Sequence, residues 1–155
     1  MIYLLFPLFF MLHELEEIAF MPNWVVKIKK NANSRFVNLI PTTKAKNFTL
    51  MVLEEYLVLL IIAVICYKKQ AINFYLALML VYNLHILVHI VQSLVLKSYI
   101  PGLFLGIVSF GLVGWLMCWQ IAAINWIRVS LFLPLVVTAI VANLVLIHQV
   151  DHWKN

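Results

Sequence analysis

His13, Glu16 and Glu17 are spaced i, i+3 and i+4, and His85 and His89 are spaced i, i+4. On an α-helix each set shares one face, its members a turn apart, while Glu14 is expected to point well away. Imidazole and carboxylate displayed in this way from two helices can surround one divalent ion without bending either backbone. The expected ligands are His13, Glu17, His85 and His89, and their chemistry suits zinc, with iron as the alternative. An ion held there lowers the pKa of a bound water, and whichever of Glu16 and Glu17 does not ligate is placed to act as general base.

Other residues are candidates for the same site. Glu54 and Glu55 lie in a second apolar segment, where one can face the site while the other snorkels to the surface. Asn83, Tyr82 and Gln92 flank the two histidines as hydrogen-bonding support or as packing residues. His148 can reach inward, whereas Asp151 and His152 read as a solvated helix end. Gly102, Gly106, Gly111 and Gly114 read as points of close helix contact. No Gly-rich phosphate loop, Ser-His-Asp order or paired cysteine motif is present; Cys66 and Cys118 both fall in apolar runs.

The elements that must position these residues follow from composition. Of 155 residues, 65% are hydrophobic and 11% charged, against about a quarter charged in a soluble domain. Such a chain cannot cover its surface in water. A soluble enzyme, a disordered region and a nucleic-acid binder are therefore excluded as readings, despite the net charge of +5. The expected fold is all-α, a single domain over 1–155. It is an integral membrane bundle of five transmembrane helices at about 2–20, 48–67, 72–96, 102–123 and 128–150. Met1 to Leu12 lacks a basic start and a small-residue cleavage site, so it reads as a retained first helix. A basic loop from Pro22 to Lys46 follows, holding Lys27, Lys29, Lys30, Arg35, Lys44 and Lys46 and no acid. Asn23 to Lys30 is expected to lie along the membrane surface, with Trp24 as an anchor.

With five alternating spans, the basic loop, Lys97 and Lys154 share one side. Positive residues prefer the cytoplasm, which places the N-terminus outside and the C-terminus inside, in what reads as a bacterial cytoplasmic membrane. His13 and His89 then lie at similar depths, about 12 Å from the cytoplasmic ends of their helices, and Glu54 and Glu55 about 10 Å. A carboxylate costs about 2.5 to 3.5 kcal/mol at mid-membrane, against about 0.5 kcal/mol gained per strongly apolar residue. Glu16 and Glu17 must therefore face the bundle interior, protonate or bind a cation.

The pentapeptide His13-Glu14-Leu15-Glu16-Glu17 resembles the signature of the HXXEE-domain membrane proteins. Phe20, Pro22 and Trp24 after it fit the likeness, as do Asn83, His85, His89 and the turn Tyr99-Ile100-Pro101-Gly102. The resemblance implies the fold and the importance of these residues, and it implies no reaction. Intramembrane proteases that use Glu-Glu-x-x-x-Arg are similar in chemistry only, because Met21 and Leu59 stand where arginine is required. The expected function is a metal-dependent hydrolase reaching a lipid or lipid-embedded substrate from the cytoplasmic leaflet. Its rivals are a di-iron lipid oxidase or hydroxylase, a proton or metal-ion transporter, and an accessory membrane subunit.

Overall fold

The computed structural model describes residues 1–31 and 44–153, with side chains over 1–30 and 44–146. The middle of the basic loop with Arg35, Lys154, and the side chains of His148, Asp151 and His152 lie outside the described residues. Five α-helices follow one another: α1 Ile2–Asn31, α2 Ala45–Lys69, α3 Ile72–Leu96, α4 Leu103–Trp119 and α5 Trp126–Trp153, with a 3-10 turn Ile121–Ala123 before the last. The described residues are all-α, as expected.

The links between α2, α3 and α4 are tight and chemically explicable. Gln70 and Lys97 take left-handed conformations, φ 52° and 47°, and close the ends of α2 and α3. Ala71 N–H then returns to the Cys66 carbonyl, and Ser98 N–H to that of Ser93, satisfying carbonyls that a helix end leaves without partners. Pro101 cannot continue a helix, and Gly102 at φ 90° turns the chain into α4.

Helix α1 packs between α2 and α4, and α3 packs between α4 and α5 while also touching α2. Phe6, Tyr75, Leu76, Met79, Ile86, Val113 and Leu116 form the core, which Val129 and Val136 of α5 complete. The outward faces remain apolar, with Ile61, Val64, Leu94, Leu131 and Leu135 exposed. Helices that are hydrophobic all round belong in an apolar surround. Three stretches, Ala45–Lys69, Ile72–Leu96 and Trp126–Leu146, are long and apolar enough to cross a membrane. The other two helices fall outside that description for visible reasons. Helix α1 carries Glu14, Glu16 and Glu17, and α4 has 17 residues, which extend only about 25 Å.

Two boundaries differ from the expected ones. The first helix does not stop near Phe20 but runs unbroken to Asn31 through Pro22. Asn23 to Lys30 is therefore a continuation of α1 rather than a separate surface segment. Val25 is buried and Ile28 half-buried on this extension, so an apolar stripe carries the helix past its missing donor. The fourth helix ends at Trp119, short of the expected Ala123. Ile121 to Ala123 tighten into the 3-10 turn, with Ala123 N–H bonded to the Gln120 carbonyl.

Candidate metal centre

The middle of α1, the C-terminal half of α3 and the first turn of α4 meet at one end of the bundle. His13 is completely buried there, and its Nδ1 lies 2.8 Å from the Gly102 carbonyl. A carbonyl only accepts, so in the neutral ring Nδ1 carries the hydrogen and Nε2 presents a lone pair. That Nε2 stands 3.6 Å from Glu17 Oε1, which is itself 3.2 Å from His89 Nε2. His89 Nε2 is 3.1 Å from His85 Nε2. One donor atom from each of His13, Glu17, His85 and His89 lies within 4.8 Å of the other three.

These separations bear on what the group can hold. Four ligands at 2.0–2.1 Å from a tetrahedral ion are about 3.3 Å apart. Three of the pairs, at 3.1, 3.2 and 3.6 Å, straddle that value, whereas the whole set spans up to 4.8 Å, so its widest pair would have to draw in by about 1.5 Å to close on one ion. His13 Nε2 and Glu17 Oε1 are both buried without a hydrogen-bond partner. Buried polar atoms are almost always satisfied, and leaving two of them unpaired costs about 1–3 kcal/mol each. His85 is exposed, unlike the other three, so the cluster is open on the side where α3 meets the outside of the bundle.

Close approach is made possible by glycine. A Cβ on Gly102 would come within 2.7 Å of both His13 Cε1 and Glu17 Cγ, and one on Gly106 within 3.1 Å of His13 Nδ1. Gly111 and Gly114, further along α4, have nothing within 4 Å. Reading the four glycines as contact points is therefore right for the first two only. Tyr82 forms a wall of the site: its ring centroid lies 6.1 Å from that of His13, and its hydroxyl bonds to Ser109 Oγ. Ser109 in turn donates to the Gly106 carbonyl at 2.9 Å.

The glutamates divide differently from the sequence expectation. Glu16 Oε2 accepts the Leu105 N–H at 2.7 Å, in the first turn of α4, whose own N-cap is a glycine with no side chain to offer. A carboxylate there satisfies an orphan donor and favours the helix dipole, so Glu16 ties α1 to α4 and stays outside the four-residue group. Glu14 does not point away: it is buried, with Oε1 3.9 Å from His13 Nε2. The reason is that α1 is flanked by both α2 and α4, so more than one of its faces is covered. Glu54 Oε2 accepts from Asn143 of α5 at 3.2 Å. Glu55 is half-buried on α2 and is not part of the four-residue group. Asn83 is buried with Nδ2 4.0 Å from Met117 Sδ and is not part of the cluster.

Sequence reasoning thus missed the burial of Glu14 and the capping role of Glu16. Two signals were available. A helix opening at Pro-Gly needs a cap from elsewhere, and three glutamates in one turn exceed what one ion requires.

An all-helical bundle that gathers three histidines and a glutamate beside a Pro-Gly turn is the class of protein this geometry defines. Residues 4–117 match the family described as protein of unknown function with HXXEE motif, and the chain belongs to that family. Its motif residues are His13, Glu16 and Glu17. No curated protein and no solved structure matches the chain.

Proposed function

We propose that the protein is an integral membrane, metal-dependent hydrolase acting on a lipid or lipid-embedded ester or amide. The observation that carries this reading is the convergence of His13 Nε2 and Glu17 Oε1, buried and unbonded, with the Nε2 atoms of His85 and His89. His13, Glu17, His85 and His89 would together hold a divalent ion, zinc by donor type, in place of the His85–His89 hydrogen bond. Bound there, the ion would acidify a water and polarise a carbonyl. The water oxygen bonds to the acyl carbon and the C–O or C–N bond breaks. With the Glu16 carboxylate taken by Leu105 N–H and Glu17 Oε1 among the ligands, the second oxygen of Glu17, rather than a separate glutamate, would pass the water's proton to the departing oxygen or nitrogen. Exposed His85 marks the open side, flanked by exposed Leu84 and Val88. A substrate already dissolved in the bilayer reaches such an opening without first entering water.

In this reading all five helices span the membrane. The basic residues around α1's C-terminal end and Lys97 face the cytoplasm of a bacterial cell, the N-terminus lies outside, and the site opens toward the cytoplasmic leaflet. Elemental analysis of the detergent-purified protein tests the metal, with wild type beside His89→Ala and Glu17→Gln. At least one divalent ion per chain, lost in His89→Ala, is expected. A wild type that takes up no ion under any loading condition sinks the proposal. Release of fatty acid or amine from mixed lipid esters and amides by the loaded protein, absent in Glu17→Gln, tests the reaction.

A further inference from the structure

The open side of the histidine group has a polar rim. Phe74, Leu78, Val81 and His85 are spaced i, i+4, i+7 and i+11, so they form one stripe along α3. The start of that stripe packs on α5, where the Phe74 and Phe132 rings stand 5.5 Å apart. Leu78 is buried and Val81 half-buried, but His85 is exposed, so the cover over this face lapses at the histidine. Asn143 stands at the gap. Helices α3 and α5 run in the same direction, and Asn143 follows Phe132 by the same eleven residues that separate His85 from Phe74. Glu54 arrives there from α2. It precedes Tyr67, whose ring meets Tyr3, by thirteen residues. Because α2 runs against α1, that sets Glu54 level with the turn between His13 and Glu17. Asn143 Nδ2 donates to Glu54 Oε2 at 3.2 Å, joining two helices whose described parts otherwise barely touch.

We infer that Glu54 and Asn143 form the mouth of the site and select a lipid amide carrying an N–H over a lipid ester. This rests on the hydrolase reading and narrows its substrate. With the bond between them made, the pair keeps the spare lone pairs of the Glu54 carboxylate and of Asn143 Oδ1, against one remaining amide hydrogen. What it offers an entering group is therefore mostly acceptor. A secondary amide brings a donor next to the carbonyl that reacts, whereas an ester brings none. Both residues are half-buried in an apolar surround, where a hydrogen bond competes with little water. A site built to accept a substrate's N–H discriminates against the analogue that lacks it.

The test is binding, measured by scintillation proximity on the bead-captured full chain in detergent, with three radiolabelled probes that differ only at the head: N-methylhexadecanamide, N,N-dimethylhexadecanamide and methyl hexadecanoate. The first should bind on the order of tenfold more tightly than the other two. Glu54→Leu should erase that preference and Asn143→Leu reduce it, while both variants keep the wild-type metal content. Equal binding of the three probes by wild type overturns the inference, and so does a preference that survives both substitutions. Metal content of the same preparations separates this outcome from the parent reading. A chain that holds its ion but shows no preference loses the amide selection alone. A chain that shows the preference but takes up no ion keeps the mouth as a lipid-amide site and loses the hydrolase. The wild-type comparison decides even if a variant fails to fold.

Discussion

At one end of the bundle Tyr3, Phe6 and Tyr75 pack ring against ring, with centroids 4.7 Å apart for Tyr3–Tyr75 and 5.6 Å for Phe6–Tyr75. The Tyr75 hydroxyl donates to the Tyr3 carbonyl at 3.1 Å, so the most buried polar group there is satisfied. At the other end the rings are imidazoles, with centroids 4.6 Å apart for His85–His89 and 5.2 Å for His13–His89. Here buried nitrogen and oxygen atoms face one another unbonded. The same helices build both ends, α1 and α3 running in the same direction, so that Tyr3 and Phe6 meet Tyr75 while His13 meets His85 and His89. Aromatic crowding with its most buried hydroxyl paired is what stability alone produces. Crowding of lone pairs is unfavourable by itself and needs something between them. The contrast separates a structural end from a functional one within a single bundle.

The largest effects should come from swapping the treatment of the two ends. His13→Ala removes a ligand and is expected to lower ion affinity by on the order of 100-fold or more, beyond the 10–100-fold typical of losing a ligand's outer partner. Tyr75→Ala should destabilise the chain by about 3–5 kcal/mol through cavity formation, yet leave the ion count per folded chain unchanged. Thermal unfolding in detergent beside metal analysis checks both. If Tyr75→Ala removed the ion as completely as His13→Ala, the division into two ends would fail.

Next in size is Gly102→Ala. The added Cβ would meet His13 and Glu17 at 2.7 Å, at a φ of 90°. The left-handed strain costs about 1–3 kcal/mol, and displacement of two ligands should weaken ion binding by about 10–100-fold. Loss of stability with full affinity would show that the turn holds α4 but does not position His13.

How much of this the sequence discloses depends on the kind of inference. His13, Glu17, His85 and His89 were legible because helical spacing alone puts each pair on one face, and apolar surroundings make any ionisable group expensive. Helix count and most boundaries were legible from hydropathy and from Lys68-Lys69, Lys97 and Pro101-Gly102. The run of α1 past Pro22 was not, because a proline with polar residues after it reads as a stop, and only the burial of Val25 against the bundle reverses that. Glu14 was misread for a related reason. Periodicity gives a direction around one helix, but which directions are covered depends on how many neighbours the helix has. Glu16 and Glu17 are adjacent and chemically identical, so nothing local could assign one to Leu105 N–H and the other to the histidines.

That assignment gives a smaller effect that sharpens the contrast. Glu16→Gln keeps an acceptor for Leu105 N–H but removes the charge at the start of α4, a loss of about 0.5–1 kcal/mol. Ion stoichiometry should stay at the wild-type value. Glu17→Gln should show the reverse, with little change in unfolding temperature and a clear loss of ion affinity. Equal behaviour of the two variants would mean that both carboxylates serve the ion.

The smallest effect concerns α4 alone, where glycines of two kinds share one helix. Gly106 sits against His13 and Ile86, whereas Gly111 and Gly114 have open space where a side chain would go. Glycine inside a helix costs backbone entropy, so alanine at an unobstructed position should stabilise by about 0.5–1 kcal/mol. Gly111→Ala and Gly114→Ala are expected to raise the unfolding temperature slightly and leave the ion untouched. At Gly106 the same change puts a methyl 3.1 Å from His13 Nδ1 and 3.3 Å from Ile86 Cδ1. There the entropy gain is opposed by a contact that displaces the imidazole, so stability should change little while ion affinity falls. A stabilised Gly106→Ala with undiminished affinity would show that His13 has more freedom than its bond to Gly102 implies. In that case the tautomer at His13, and with it the lone pair on Nε2, would have to be fixed by the ion rather than by the fold.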